Sequence, residues 1–190
     1  MDINSFVERV NSTNWQKYDD AKYFQYRYDG INSFAQTVPQ ALIALALVDK
    51  ESDELLDMNL LKRIGKSRTD FISNAPICSN LMFAIGNDHA GYYYPVALEA
   101  LFFIIEVALY GNHVVARNCA IDSLINLYYF ASDDDSGELT TTVKKTIKNM
   151  IIRHKDNFIK FTVDDKRCNA IVDDLVGIID DGSGSMSEKR

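Results

Sequence analysis

Apolar residues recur along this chain at helical rather than strand spacing. From Val96 to Tyr110 the apolar run is interrupted only by Glu99 and Glu106, which are seven residues apart and therefore share one helix face. After Gly111-Asn112 a second segment begins Val114-Val115-Ala116. At about 100° per residue, it places Asn118, Asp122, Asn126 and Tyr129 in one narrow sector. That spacing predicts a second helix, capped by Asn112, with a single polar face turned to water or to a partner. Together the two segments predict a helical hairpin over 95–131, with Leu98, Leu101, Ile105, Cys119, Ala120, Leu124 and Leu127 between its helices.

The same logic extends outward. Residues 3–28 are rich in aromatics and predict one or two helices, with Asn14 or Asp19 as caps. A helix from about Ile31 or Pro39 to Val48 and another from about Asp53 to Ile64, stopped by Gly65, are expected to pair as a hairpin. A further helix is expected from Pro76 to Ile85, ending at Gly86 and followed by the Asn87–Gly91 loop and Tyr92-Tyr93-Tyr94. The pattern then predicts helices over about 139–155 and 164–179. The heptapeptide Pro39-Gln40-Ala41-Leu42-Ile43-Ala44-Leu45 returns as Pro95-Val96-Ala97-Leu98-Glu99-Ala100-Leu101, each proline at the place where it opens a helix best. Asn-Gly and Gly-Gly hairpin signals are absent, so little strand is expected. The expectation is an all-α chain of about 7–9 helices: one domain over 1–181 and a flexible Gly/Ser tail over 182–190.

Composition changes the picture in three ways. With 190 residues, 47% hydrophobic and 25% charged, the chain is long enough to bury a core in one domain. Its most apolar segment is too short and too charged to span a bilayer, so no membrane role is expected. The N-terminus lacks the basic and long apolar regions of a signal peptide, and Cys78, Cys119 and Cys168 are odd in number and widely spaced, as for reduced thiols; the expected location is cytoplasmic. The 27 acidic against 20 basic side chains give a net charge of −7, which opposes direct contact with nucleic acid and favours a basic protein partner.

Candidate chemistry adds little. His89, His113 and His154 are too dispersed for a metal site, and Cys119 lies about 120° around the helix from His113, too far for activation. Glu99 and Glu106 have the spacing of an acid–base pair, but also that of a narrow solvated stripe. The Asp133-Asp134-Asp135 loop lacks the central glycine and closing glutamate of a calcium loop. With no phosphate-binding or nucleophile-elbow motif present, the chain is expected to have no catalytic residue, cofactor or metal, and not to be an enzyme.

The Val115-Ala116-Arg117, Ala120 and Leu124 spacing resembles the second-helix signature of HEAT-like repeats. With Tyr94-Pro95, Ala97-Leu98 and Gly111-Asn112 it is similar to small bacterial HEAT-like proteins, several of which are immunity proteins of toxin–immunity systems. The resemblance covers about residues 37–131. It implies a short α-solenoid of stacked helical hairpins and a protein that neutralises a cognate toxin, basic and in one form a nuclease, by covering its active site. The other classes compatible with it are a general scaffold or adaptor and a helical enzyme acting on nucleic acid, the last opposed by the acidic balance. The surface expected to meet the partner combines Tyr92 and Tyr93 with Asn118, Asp122, Asn126 and Tyr129, and carries Asp133, Asp134 and Asp135 at its rim.

Overall fold

A computed structural model of the chain describes residues 1–19, 33–49, 77–87, 92–130, 138–164 and 168–181. Among them are eight α-helices: α1 (Ile3–Ser12), α2 (Phe34–Leu47), α3 (Ile77–Ile85), α4 (Val96–Tyr110), α5 (Val114–Phe130), α6 (Glu138–Arg153), α7 (Lys155–Asp164) and α8 (Asn169–Asp180), with a 3-10 turn at Trp15–Tyr18. The architecture is all-α, as the periodicity predicts. The one β feature among the described residues is minimal: Gly86–Asn87 (β1) pairs antiparallel with Tyr92–Tyr93 (β2), joining Gly86 to Tyr93 and Asn87 to Tyr92. The expected 53–64 helix, its hairpin with α2 and the 182–190 tail lie outside the described residues.

The α4–α5 hairpin forms where the pattern places it. Gly111 ends α4 with its N–H on the Val107 carbonyl at 2.8 Å. A Cβ there would stand 2.6 Å from that same oxygen and 3.0 Å from Cγ of Arg117, so the turn closes only around glycine. Leu101, Ile105, Cys119, Ala120, Leu124 and Leu127 are all buried, whereas Leu98 is only partly covered at the edge of the core. The cap differs from expectation. Asn112 Oδ1 accepts from the Met1 amine at 2.9 Å, and Nδ1 of His113 accepts from the Val115 N–H at 3.3 Å.

Two further expectations are corrected. Pro39 does not open a helix; it is the sixth residue of α2, which begins at Phe34. That start is fixed by Asp19, whose carboxylate accepts from the Ser33 hydroxyl at 2.5 Å and the Phe34 N–H at 2.6 Å. Pro95, by contrast, immediately precedes α4 with φ −55°. The two copies of the heptapeptide therefore enter their helices in different registers. The second correction is α7. The chain breaks at His154, whose N–H bonds the Ile151 carbonyl at 3.0 Å, and resumes at once as a helix that buries Phe158. Lys155 at its start makes an ion pair with Asp180 in the last turn of α8.

α5 is the centre of the packing. It lies against α4, α8, α6, α3 and α2, while α2 also receives α1 and the 3-10 turn. One hydrophobic cluster runs from Phe6 to Leu175. On its N-terminal side Phe103 of α4 is flanked by Phe6, edge to face at 5.6 Å, and by Trp15 at 5.9 Å.

Candidate functional site: the α4 surface and the polar side of α5

Glu99 and Glu106 do share one face of α4, but each is engaged by a different cation of the N-terminal segment. Arg9 on α1 grips Glu106 with its Nη1 and Nη2, at 2.8 and 2.5 Å. Lys17 and the Tyr18 hydroxyl both reach Oε2 of Glu99, at 2.7 and 3.0 Å. The hydrogen bond from Lys17 holds the Glu99 carboxyl below its ordinary range, and burial pushes the Tyr18 phenol up. Both glutamates thus face residues 9–18 as ion-pair partners rather than as a free carboxylate pair.

The Glu99 pairing has a pH signature. Because the folded-state pKa of Glu99 is depressed, its contribution is present above the ordinary carboxylate value near 4.5 and fades as pH falls through the lowered value. Both partners are substantially exposed, so Glu99→Gln should cost below about 1 kcal/mol near neutrality. Urea unfolding of the two proteins between neutral and strongly acidic pH should show that gap closing on the acid side. A gap that widens with acid would rule out this role for Glu99.

The predicted α5 face is less open than its spacing suggests. Asn118, Asp122, Asn126 and Tyr129 are all partly buried, because α5 is enclosed by several helices rather than lying at a surface. Asp122 and Asn126 face each other: Asn126 Nδ2 donates to the Asp122 backbone carbonyl at 3.0 Å and to its Oδ2 at 3.4 Å. Burial raises the Asp122 carboxyl above its usual range, which disfavours the charge expected to attract a basic partner. Oδ1 of Asn118 is sealed from solvent without a hydrogen-bond partner. Tyr93 is 1% exposed, and its hydroxyl donates to the Asn126 carbonyl at 3.2 Å, so it packs against α5 from inside. Tyr92 contributes its backbone to β2. Asp133, Asp134 and Asp135 lie outside the described residues.

A different surface carries exposed apolar area. On the outer side of α4, Phe102 and Tyr110 are 62% and 52% exposed, with Glu106 between them, while Ile105 and Leu109 of the same stretch are buried beside them. Phe102, Ile105, Leu109 and Tyr110 follow one another at i, i+3, i+7 and i+8, a single stripe along the helix. With His154 and Asn157 from the α6–α7 junction they line a groove of ≈290 Å³. Glu106 lies within it, already paired to Arg9. Ile152 in the last turn of α6 and Ile159 in the middle of α7 are also exposed. The signal that could have found them is the glutamate pair: Phe102 and Tyr110 stand four residues before and after Glu106, on the one face of α4 that the two acidic residues mark.

Among the described residues no group of three or more His, Cys, Asp or Glu side chains is placed to hold a metal ion, and no helix is long and apolar enough to cross a membrane. Cys119 and Cys168 are buried. No protein-family profile, curated protein or solved structure matches the chain.

Proposed function

We propose that this chain is a protein-binding helical domain of the immunity type, which neutralises a cognate basic toxin in the cytoplasm by covering its active site. The observation that carries the binding part is the α4 groove: Phe102 and Tyr110 are each more than half exposed on one stripe, beside the buried Ile105 and Leu109. Exposed apolar patches of this kind mark partner surfaces, and aromatic rings are the commonest anchors there. The net charge of −7 supplies the long-range attraction for a basic partner. The likeness of the 95–131 hairpin to HEAT-like second helices supports a stacked-hairpin arrangement and, through it, the immunity reading.

The groove replaces the α5 face as the proposed contact surface, since Tyr93 and Asp122 are drawn into the packing. Co-purification with the product of the adjacent reading frame is the first experiment. With that partner in hand, Phe102→Ala and Tyr110→Ala should each leave the thermal midpoint nearly unchanged and weaken binding by about tenfold or more. Added salt should weaken binding of the unaltered protein further. Intact affinity in both variants would place the interface elsewhere. A partner without toxic activity would favour an adaptor.

A further inference from the structure

Glu106 occupies the middle of the exposed stripe on α4. Phe102 precedes it by four residues and Tyr110 follows it by four, so its carboxylate stands between two exposed aromatic rings, one helical turn away on either side. It is the only carboxylate among the described residues that line the groove. In the free protein Arg9 meets it end-on, Nη1 donating to Oε2 at 2.8 Å and Nη2 to Oε1 at 2.5 Å. The guanidinium carbon of Arg9 also stands 5.9 Å from the centre of the Phe6 ring. The molecule therefore already contains one complete arginine fork on this carboxylate, placed beside an aromatic ring.

Two features make that contact exchangeable. The pair is open to water, with the side chains of Arg9 and Glu106 49% and 24% exposed, so it adds little to stability. The position of α1 does not depend on it, because Phe6 and Val10 are fully buried and α1 also packs on α2. Arg9 can swing away while its helix stays in place. Glu99 is a different case: Lys17 and the Tyr18 hydroxyl hold it together, and it does not line the groove.

We infer that Glu106 is the recognition residue of the groove and that its occupant is an arginine side chain of the partner, which takes the carboxylate over from Arg9 between Phe102 and Tyr110. The assignment rests on the groove being a protein-docking surface. Arginine fits better than lysine, because its planar fork matches both carboxylate oxygens and stacks on rings, whereas an ammonium is a point charge. Arg9 is then an internal competitor, and the apparent affinity for the partner falls with the fraction of molecules in which it holds Glu106. The two members of one ion pair should have opposite effects on binding, which a purely structural role for the pair does not produce.

The test is nuclear magnetic resonance titration of the full chain with acetyl-Leu-Arg-Leu-amide and its lysine and citrulline counterparts, citrulline keeping the shape of arginine without its charge. The arginine peptide should shift the backbone signals of Phe102, Glu106 and Tyr110 saturably at millimolar concentration. The lysine peptide should bind more weakly, and the citrulline peptide about tenfold more weakly or worse. Glu106→Gln should weaken the arginine peptide about tenfold and leave the citrulline peptide unaltered, whereas Arg9→Gln should tighten the arginine peptide severalfold. Glu106→Asp, which withdraws the charge by one methylene, should also weaken it and serves if the glutamine variant does not fold. The double variant Arg9→Gln with Glu106→Gln should bind as weakly as Glu106→Gln alone. A double variant as tight as Arg9→Gln would trace the gain to loosening of α1 and overturn the exchange. So would no saturable shifts, equal binding of the arginine peptide and either counterpart, no loss in the Glu106 variants, or no gain in Arg9→Gln. The titrations need no toxin, so their failure removes the arginine contact alone, whereas a partner without toxic activity removes the immunity reading alone.

Discussion

Truncating Leu124 to alanine should lower the unfolding free energy by about 2–5 kcal/mol, and Leu101→Ala should do the same. Both side chains are fully buried in the α4–α5 hairpin, and α5 is packed by helices from several directions. A cavity at Leu124 is therefore walled by several elements at once, which restricts collapse of the surroundings and favours the upper part of the range. The cost should appear as a shift of the urea midpoint without a change in slope. A loss below about 1 kcal/mol at both positions would show that the hairpin is not the centre of the fold.

Trp15→Ala should be comparably damaging, by about 3–5 kcal/mol, although Trp15 belongs to a four-residue 3-10 turn. Its ring is 3% exposed, rests beside Phe103 and donates to the Val10 carbonyl, so its removal takes away aromatic contact and leaves that carbonyl unpaired. The contrast with Glu99→Gln is the informative part. If ion pairs hold the N-terminal segment in place, the two variants should match. If the aromatic wedge of Phe6, Trp15 and Phe103 holds it, Trp15→Ala should be several-fold worse and should also expose residues 1–19 to limited proteolysis. Relative magnitudes favour the wedge, since partly exposed pairs such as Lys17–Glu99 contribute little. A Trp15→Ala protein as stable and as protease-resistant as the parent would refute this.

What was legible in the sequence follows from how local each signal is. The α4–α5 hairpin announces itself because a strong apolar run, a glycine stop and a second periodic run follow one another within 36 residues. α7 does not, because no glycine or proline marks its start. Pro39 misleads for the opposite reason. A proline is a good helix opener, but the Asp19 carboxylate, 15 residues before Phe34, starts α2 earlier and draws the proline into its interior. The site is subject to the same limit. Asn118, Asp122, Asn126 and Tyr129 do lie on one side of α5, yet periodicity says nothing about which neighbour will cover that side. Nor does it reveal that Glu99 and Glu106 are bound for Lys17 and Arg9, partners 82 and 97 positions away. The minimal pairing of Gly86–Asn87 with Tyr92–Tyr93 carries no hairpin dipeptide and passes unseen for the same reason.

Those two long-range links bear on how the protein is made. Synthesis delivers Phe6, Val10 and Trp15 long before Phe103, Glu99 and Glu106, so the N-terminal segment can meet α2 but not α4 while the intervening chain emerges. Closing so large a loop is slow compared with forming α4 and α5 locally. The nascent protein therefore passes through a stage in which the α4–α5 hairpin is assembled and its N-terminal cover is still free. During that interval the surface around Phe103 is open to chaperones and to other copies of the chain.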